Sequence, residues 1–153
     1  MNSDVITISR GTLRPLLSID AAKAILNRDE DAILSLIQSG DLAWAFDLRS
    51  PGTRRSFIRI YRDSIFQLLP TLRFEKHSIA TLDDVLGEIL PKPRRDGIKS
   101  PHLARCFNCG STHIHALLSS RAIRKRGAKS GRTCAVEVSR ESVESFLRRA
   151  LVQ

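Results

Sequence analysis

The chain reads as an α+β protein, mostly helical, made of two copies of one small unit whose β content is confined to hairpins. Three observations point there. Apolar residues recur at helical spacing in short stretches closed by Gly or Asn. Short alternating segments, Phe57–Ile60 and Ala135–Val138, follow them as strand candidates. A stretch of 26 residues, Leu17 to Leu42, also lays over Ile98 to Ile123 without a gap at a shift of 81.

In the first copy Ile19, Ala22, Ile25 and Leu26 form one helical stripe, broken at Asn27–Arg28. Asp29 is a suitable N-cap for a second stripe at Ile33, Leu36 and Ile37, which stops at Gly40. A hairpin runs through Trp44 and Phe46, turns at Ser50-Pro51-Gly52-Thr53 and returns by Ile60. A last helix carries Leu68-Leu69. In the second copy Ile25 and Leu26 fall on Cys106 and Phe107, Asn27 on Asn108, Ile33 on Ile114, and Leu36 and Ile37 on Leu117 and Leu118. Ser100-Pro101 starts the first helix well, because Pro suits its first position. Further on the shift falls to 78. Arg62-Asp63-Ser64-Ile65 then meets Arg140-Glu141-Ser142-Val143, and Leu68-Leu69 meets Phe146-Leu147. The connection from second helix to strand is therefore three residues shorter in copy two, a change expected in a surface hairpin turning near Gly127–Gly131. Between the copies, Thr81–Leu90 is amphipathic with Asp83 and Asp84 at its start, and Pro91–Gly97 reads as a stiff connector. The expected organisation is one unit over 1–70, a linker with a short helix over 71–97, and a second unit over 98–153.

A chain of 153 residues can bury a core without staples. Its 42% hydrophobic and 27% charged content is that of a globular protein. No apolar run approaches the ~18 residues of a membrane span, and Val5–Ile8 is too short for a signal-peptide core. Three cysteines, an odd number, suit a reducing cytoplasm. The net charge of +9 suggests a polyanionic partner. Residues 1–70 hold nine Lys/Arg against eight Asp/Glu, and 71–98 hold five of each. Residues 99–153 hold eleven against three. The electrostatic footprint is expected in that last third.

The order of elements, with Leu17-Ser18-Ile19-Asp20-Ala21-Ala22, Leu36-Ile37-Gln38-Ser39-Gly40-Asp41-Leu42 and Arg62-Asp63-Ser64-Ile65, resembles the small winged helix-turn-helix domain of phage excisionases and of MerR-family DNA-binding heads. These blocks are similar to that family's LTxxEAA, LIxxGxL and xREDL patterns. Copy two keeps them more loosely, with Arg121 where the pattern has Gly. The long dimerising helix of MerR proteins has no counterpart, which favours the excisionase side. The resemblance implies two tandem winged helix-turn-helix units, mostly α with small hairpin wings, that bind double-stranded DNA.

In such a fold the second helix enters the major groove and the wing grips phosphates. Copy two suits that role. Its second helix offers Ser111, Thr112, His113, His115, Ala116 and Ser119, none acidic, and its wing offers Arg124, Lys125, Arg126, Lys129 and Arg132. Copy one begins its second helix with Asp29-Glu30-Asp31, which phosphates would repel. Its wing residues Arg49, Arg54 and Arg55 still suit backbone contact, so copy one is expected to be a degenerate reader or a protein-docking surface.

Cys106-Phe-Asn-Cys109-Gly with His113 and His115 has the look of a zinc half-site. Against it, Cys106 overlays the core position Ile25, and no second CxxC follows. Structural cysteines and no bound metal or cofactor are expected. No catalytic motif is present: there is no phosphate-cradling Gly loop, no His-Glu-x-x-His and no nucleophile elbow. Asp83 and Asp84 lack partner acids for metal-dependent nuclease chemistry. The functional expectation is a non-enzymatic, nucleoid-associated cytoplasmic protein. It would bind specific duplex DNA as a recombination directionality factor or transcriptional regulator of a mobile element, with self-association on DNA and a recombinase or RNA polymerase as further partners. The alternative is an adapter whose first unit docks an integrase or polymerase while the second anchors DNA.

Overall fold

The computed structural model describes residues 14–69, 81–92, 97–127 and 136–152. Among them are seven helices and two small antiparallel sheets, an α+β arrangement. No helix among the described residues is long and apolar enough to cross a membrane.

The first half runs β1 (Leu16–Ser18), α1 (Ile19–Leu26), α2 (Glu30–Gln38), β2 (Ala45–Asp47), β3 (Ile58–Tyr61) and α3 (Arg62–Phe66). Ser18 starts α1 by accepting from the Ala21 amide, and Asn27 ends it in the left-handed region at φ 50°. Asp29 caps α2 by accepting from the Ala32 amide at 2.8 Å. After α4 (Leu82–Ile89) the second half follows the same order, with the isolated bridge Lys125↔Val138 in place of β2, as β4 (Gly97–Lys99), α5 (Ser100–Cys106), α6 (Ser111–Ser119), β5 (Glu137–Ser139) and α7 (Arg140–Ala150).

The strand pairings repeat in register. Leu16↔Tyr61, Leu17↔Ile60 and Ser18↔Arg59 in one half become Gly97↔Ser139, Ile98↔Val138 and Lys99↔Glu137 in the other. The left-handed residues repeat too. Asn27 and Asn108 both have φ 50°, and Gly40 at φ 83° corresponds to Arg121 at φ 58°. A side chain in that conformation costs about 1–2 kcal/mol, so the backbone path is retained although the glycine is not. The length change is split. Tyr61 N–H donates to Trp44 O, and Ser139 N–H donates to Arg124 O. One residue is therefore lost between Leu42 and Trp44, and two more between the arms; the second loop, 128–135, lies outside the described residues.

Three elements differ from expectation. Strands β1 and β4 precede the first helix of each half, and at three residues they are too short to show alternation in sequence. Helix α3 stops at Phe66, leaving Leu68 and Leu69 beyond it, whereas α7 continues for eleven residues. Pro70 explains the stop, since it lacks an N–H and disfavours helix in the residue before it.

The first sheet, ordered β1-β3-β2, is buried on both faces. Leu17, Ala45 and Ile60 face Ala22, Ile33, Ile37, Ile65 and Phe66. Their strand neighbours Leu16, Phe46 and Tyr61 belong to a second core with Leu103, Phe107, Ile114, Leu117 and Leu147 of the other half. In the second sheet only one face is apolar. Ile98 and Val138 are buried, while Gly97, Arg126 and Glu137 form the outer side. A Cβ on Gly97 would come within 3.0 Å of both Arg126 and Glu137, which lie over it. Among the described residues an apolar outer face thus occurs only in the first half, and it packs against the second half.

Helix α4 belongs to this shared core. Thr81 and Asp84 form a capping box at its start, and Val85, Leu86, Ile89 and Leu90 are buried. Asp83 pairs with Arg148 of α7, and Arg140 donates to Pro91 O. After α7 the chain lies along the edge of β2, with Leu151 opposite Phe46 and Val152 N–H donating to Ala45 O. That covers an edge which would otherwise be open to pairing.

Candidate nucleic-acid interface

Helix α6 carries the core on one side through Ile114 and Leu117. Advancing about 100° per residue, Ser111, Thr112, His115 and Ser119 fall together on the opposite side, and all four are exposed. Ala116 is half-buried. The exposed stripe has small and hydrogen-bonding side chains and no carboxylate, so it can approach phosphates and base edges.

His113 is placed differently from the exposed position its sequence suggested. It is partly buried, its ring is stacked on Phe57 at 4.2 Å between centroids, and its Nε2 lies 2.7 Å from Leu48 O. It therefore fastens α6 to the first hairpin, and the imidazole is turned away from a ligand on the exposed stripe. Arg59 adds to the same junction. Its guanidinium donates to Phe107 O and Asn108 O at 3.0–3.2 Å and lies 3.8 Å over the Phe57 ring. Burial lowers its pKa from the usual value. Arg14 donates to Asn108 Oδ1 at 2.7 Å beside it. Arg59 was not singled out from sequence. The available signal is that it overlays Glu137 in the repeat, a reversal of charge at one strand position.

Arg124, Lys125 and Arg126 follow α6 and are exposed. Arg126 lies 3.9 Å from Glu137. Leu118, Arg121, Arg124 and Lys125 share a shallow depression on one flank of α6. On the other flank, Pro51 of the first hairpin shares a cleft with Ser120 and Arg121. Arg54 and Arg55 extend from that hairpin, exposed, while Arg49 pairs with Asp47 at 3.0 Å. Among the described residues Arg54, Arg55, Arg124 and Lys125 enter no salt bridge. Lys129 and Arg132 lie outside the described residues. Asp29, Glu30 and Asp31 are exposed at the start of α2.

Cys106 is buried and Cys109 half-buried, both as thiols; Cys134 lies outside the described residues. Among the described residues no group of three or more His, Cys, Asp or Glu could hold a metal ion. Burial pushes Cys109 up to about 11, against the pull of Arg59 and Arg14, and raises Cys106 as well. An unfolded thiol ionises near its usual 9.0, while folded Cys109 stays neutral to about 11. Its contribution to stability is therefore complete below pH 9 and lost as pH rises from 9 to 11. Urea unfolding midpoints between pH 8 and 11 are expected to fall less steeply in Cys109→Ala than in the parent chain. Equal slopes would show that the thiol plays no part.

No protein-family model, curated protein or solved structure matches the chain.

Proposed function

We propose that this protein is a non-enzymatic, sequence-specific binder of double-stranded DNA, built from two tandem winged helix-turn-helix units, with α6 as the reading helix. The observation that carries this reading is the acid-free exposed stripe of α6 beside Arg124 and Lys125, whose charges no carboxylate among the described residues neutralises. A B-form major groove is ~12 Å wide and admits one helix, and its phosphates are met by cations at the helix flanks. The repeated elements and the excisionase-like sequence blocks support a role as a recombination directionality factor or as a transcriptional regulator of a mobile element. The exposed acidic start of α2 favours a second reading in which the first unit also docks a basic surface of a recombinase or polymerase.

The test is duplex titration across a salt series. The parent chain is expected to bind with log K falling linearly with log salt, by about 0.9 per phosphate contact. Arg124→Ala with Lys125→Ala should flatten that slope by about two contacts on specific and scrambled duplexes alike. Thr112→Ala should instead cost on the order of 1–3 kcal/mol at the specific site only. Absence of duplex binding at low salt would overturn the proposal.

A further inference from the structure

We infer that the first hairpin is a second arm of the same DNA-binding surface, so that the two halves form one composite reader instead of two independent ones. This rests on the proposed reading of α6. The hairpin is fastened at the N-terminal end of that helix and borders the same cleft as its C-terminal end. At the N-terminal end Phe57 stacks on His113 with the rings 19° apart, and Leu48 O meets His113 Nε2. At the C-terminal end Pro51 lies across the cleft from Ser120 and Arg121. Arg59 holds the strand behind it to the α5–α6 turn through two backbone carbonyls. Arg54 and Arg55 lie in the segment between Pro51 and Phe57, exposed and without a salt bridge among the described residues.

Helical geometry sets the order of the surface. His113, Ala116 and Ser120 lie on one flank of the exposed stripe formed by Thr112, His115 and Ser119, and Leu118 lies on the other. The flank of His113 and Ser120 carries the first hairpin, and the Leu118 flank carries Arg124 and Lys125. A helix seated in a major groove has one phosphate strand on each side. The cations of the first hairpin face one strand, and Arg124 and Lys125 face the other. The first half thus serves DNA through its hairpin, while its own acidic helix α2 takes no part in base reading. Among the described residues of the second half, Glu137 stands where Arg59 does, and a carboxylate cannot donate to backbone carbonyls.

Phosphate ethylation interference on a bound duplex tests this with the full chain. The parent is expected to show interfering phosphates on both strands, flanking a single major groove. Arg54→Ala with Arg55→Ala, both at exposed positions, should remove those on one strand and flatten the salt slope by about two contacts. Arg124→Ala with Lys125→Ala should remove those on the other. If Arg54→Ala with Arg55→Ala removes no phosphate, or removes ones a helical turn or more away, the composite reader is overturned while the proposed function stands. If Arg124→Ala with Lys125→Ala changes nothing, the proposed role of α6 falls as well.

Discussion

Phe46→Ala is expected to cost roughly 3–5 kcal/mol of folding stability and to weaken the proposed DNA binding with it. Phe46 is fully buried, and its ring lies in the core shared by the first sheet, α4 and the second half. Its neighbour Ala45 faces the other core. Removing the ring leaves a cavity where the two halves meet, at a strand whose backbone also pairs with the chain end at Leu151. Urea unfolding should move to lower denaturant, and DNA binding should fall even where the chain is still folded, because the hairpin no longer holds α6. A loss under about 1 kcal/mol would mean that the core re-forms without this ring.

Arg59→Ala should have the next largest effect, on the order of 2–3 kcal/mol. Three of its N–H···O contacts end on Phe107 O and Asn108 O, and the guanidinium lies over the Phe57 ring that also stacks with His113. Truncation leaves the carbonyls of a tight turn without their donors and removes a cation–π contact. Arg59→Lys should recover little, since an ammonium cannot span two carbonyls as a planar fork does. A double-mutant cycle with His113→Ala measures the coupling; additive losses would show that the two side chains act separately.

The repeat was legible because its markers are backbone requirements. Asn27 and Asn108 take the same left-handed conformation, and the strands pair in the same register 81 and 78 residues apart. The helix starts at Asp29 and Thr81 were legible for a similar reason, as each depends on one short side chain reaching an amide three residues on. What the sequence concealed is how the halves meet. Leu16-Leu17, Ala45-Phe46 and Ile60-Tyr61 are apolar pairs in which alternate residues serve opposite cores, so no polar position marks an outer face. For the same reason His113 reads from periodicity as an exposed helix residue. Only the position of the first hairpin turns it into a junction. The exposed candidates Ser111, Thr112, His115 and Ser119 were recoverable because their exposure follows from the buried spacing of Ile114 and Leu117.

Selection from a randomised duplex library by the 153-residue chain tests whether α6 reads the DNA sequence. Enrichment of one continuous sequence is expected, with the preference at one or two adjacent base pairs relaxed by Thr112→Ala and every preference retained in Asp29→Lys with Asp31→Lys. A library that emerges unenriched, or a preference that changes with the α2 variant and not with the α6 variant, would contradict it.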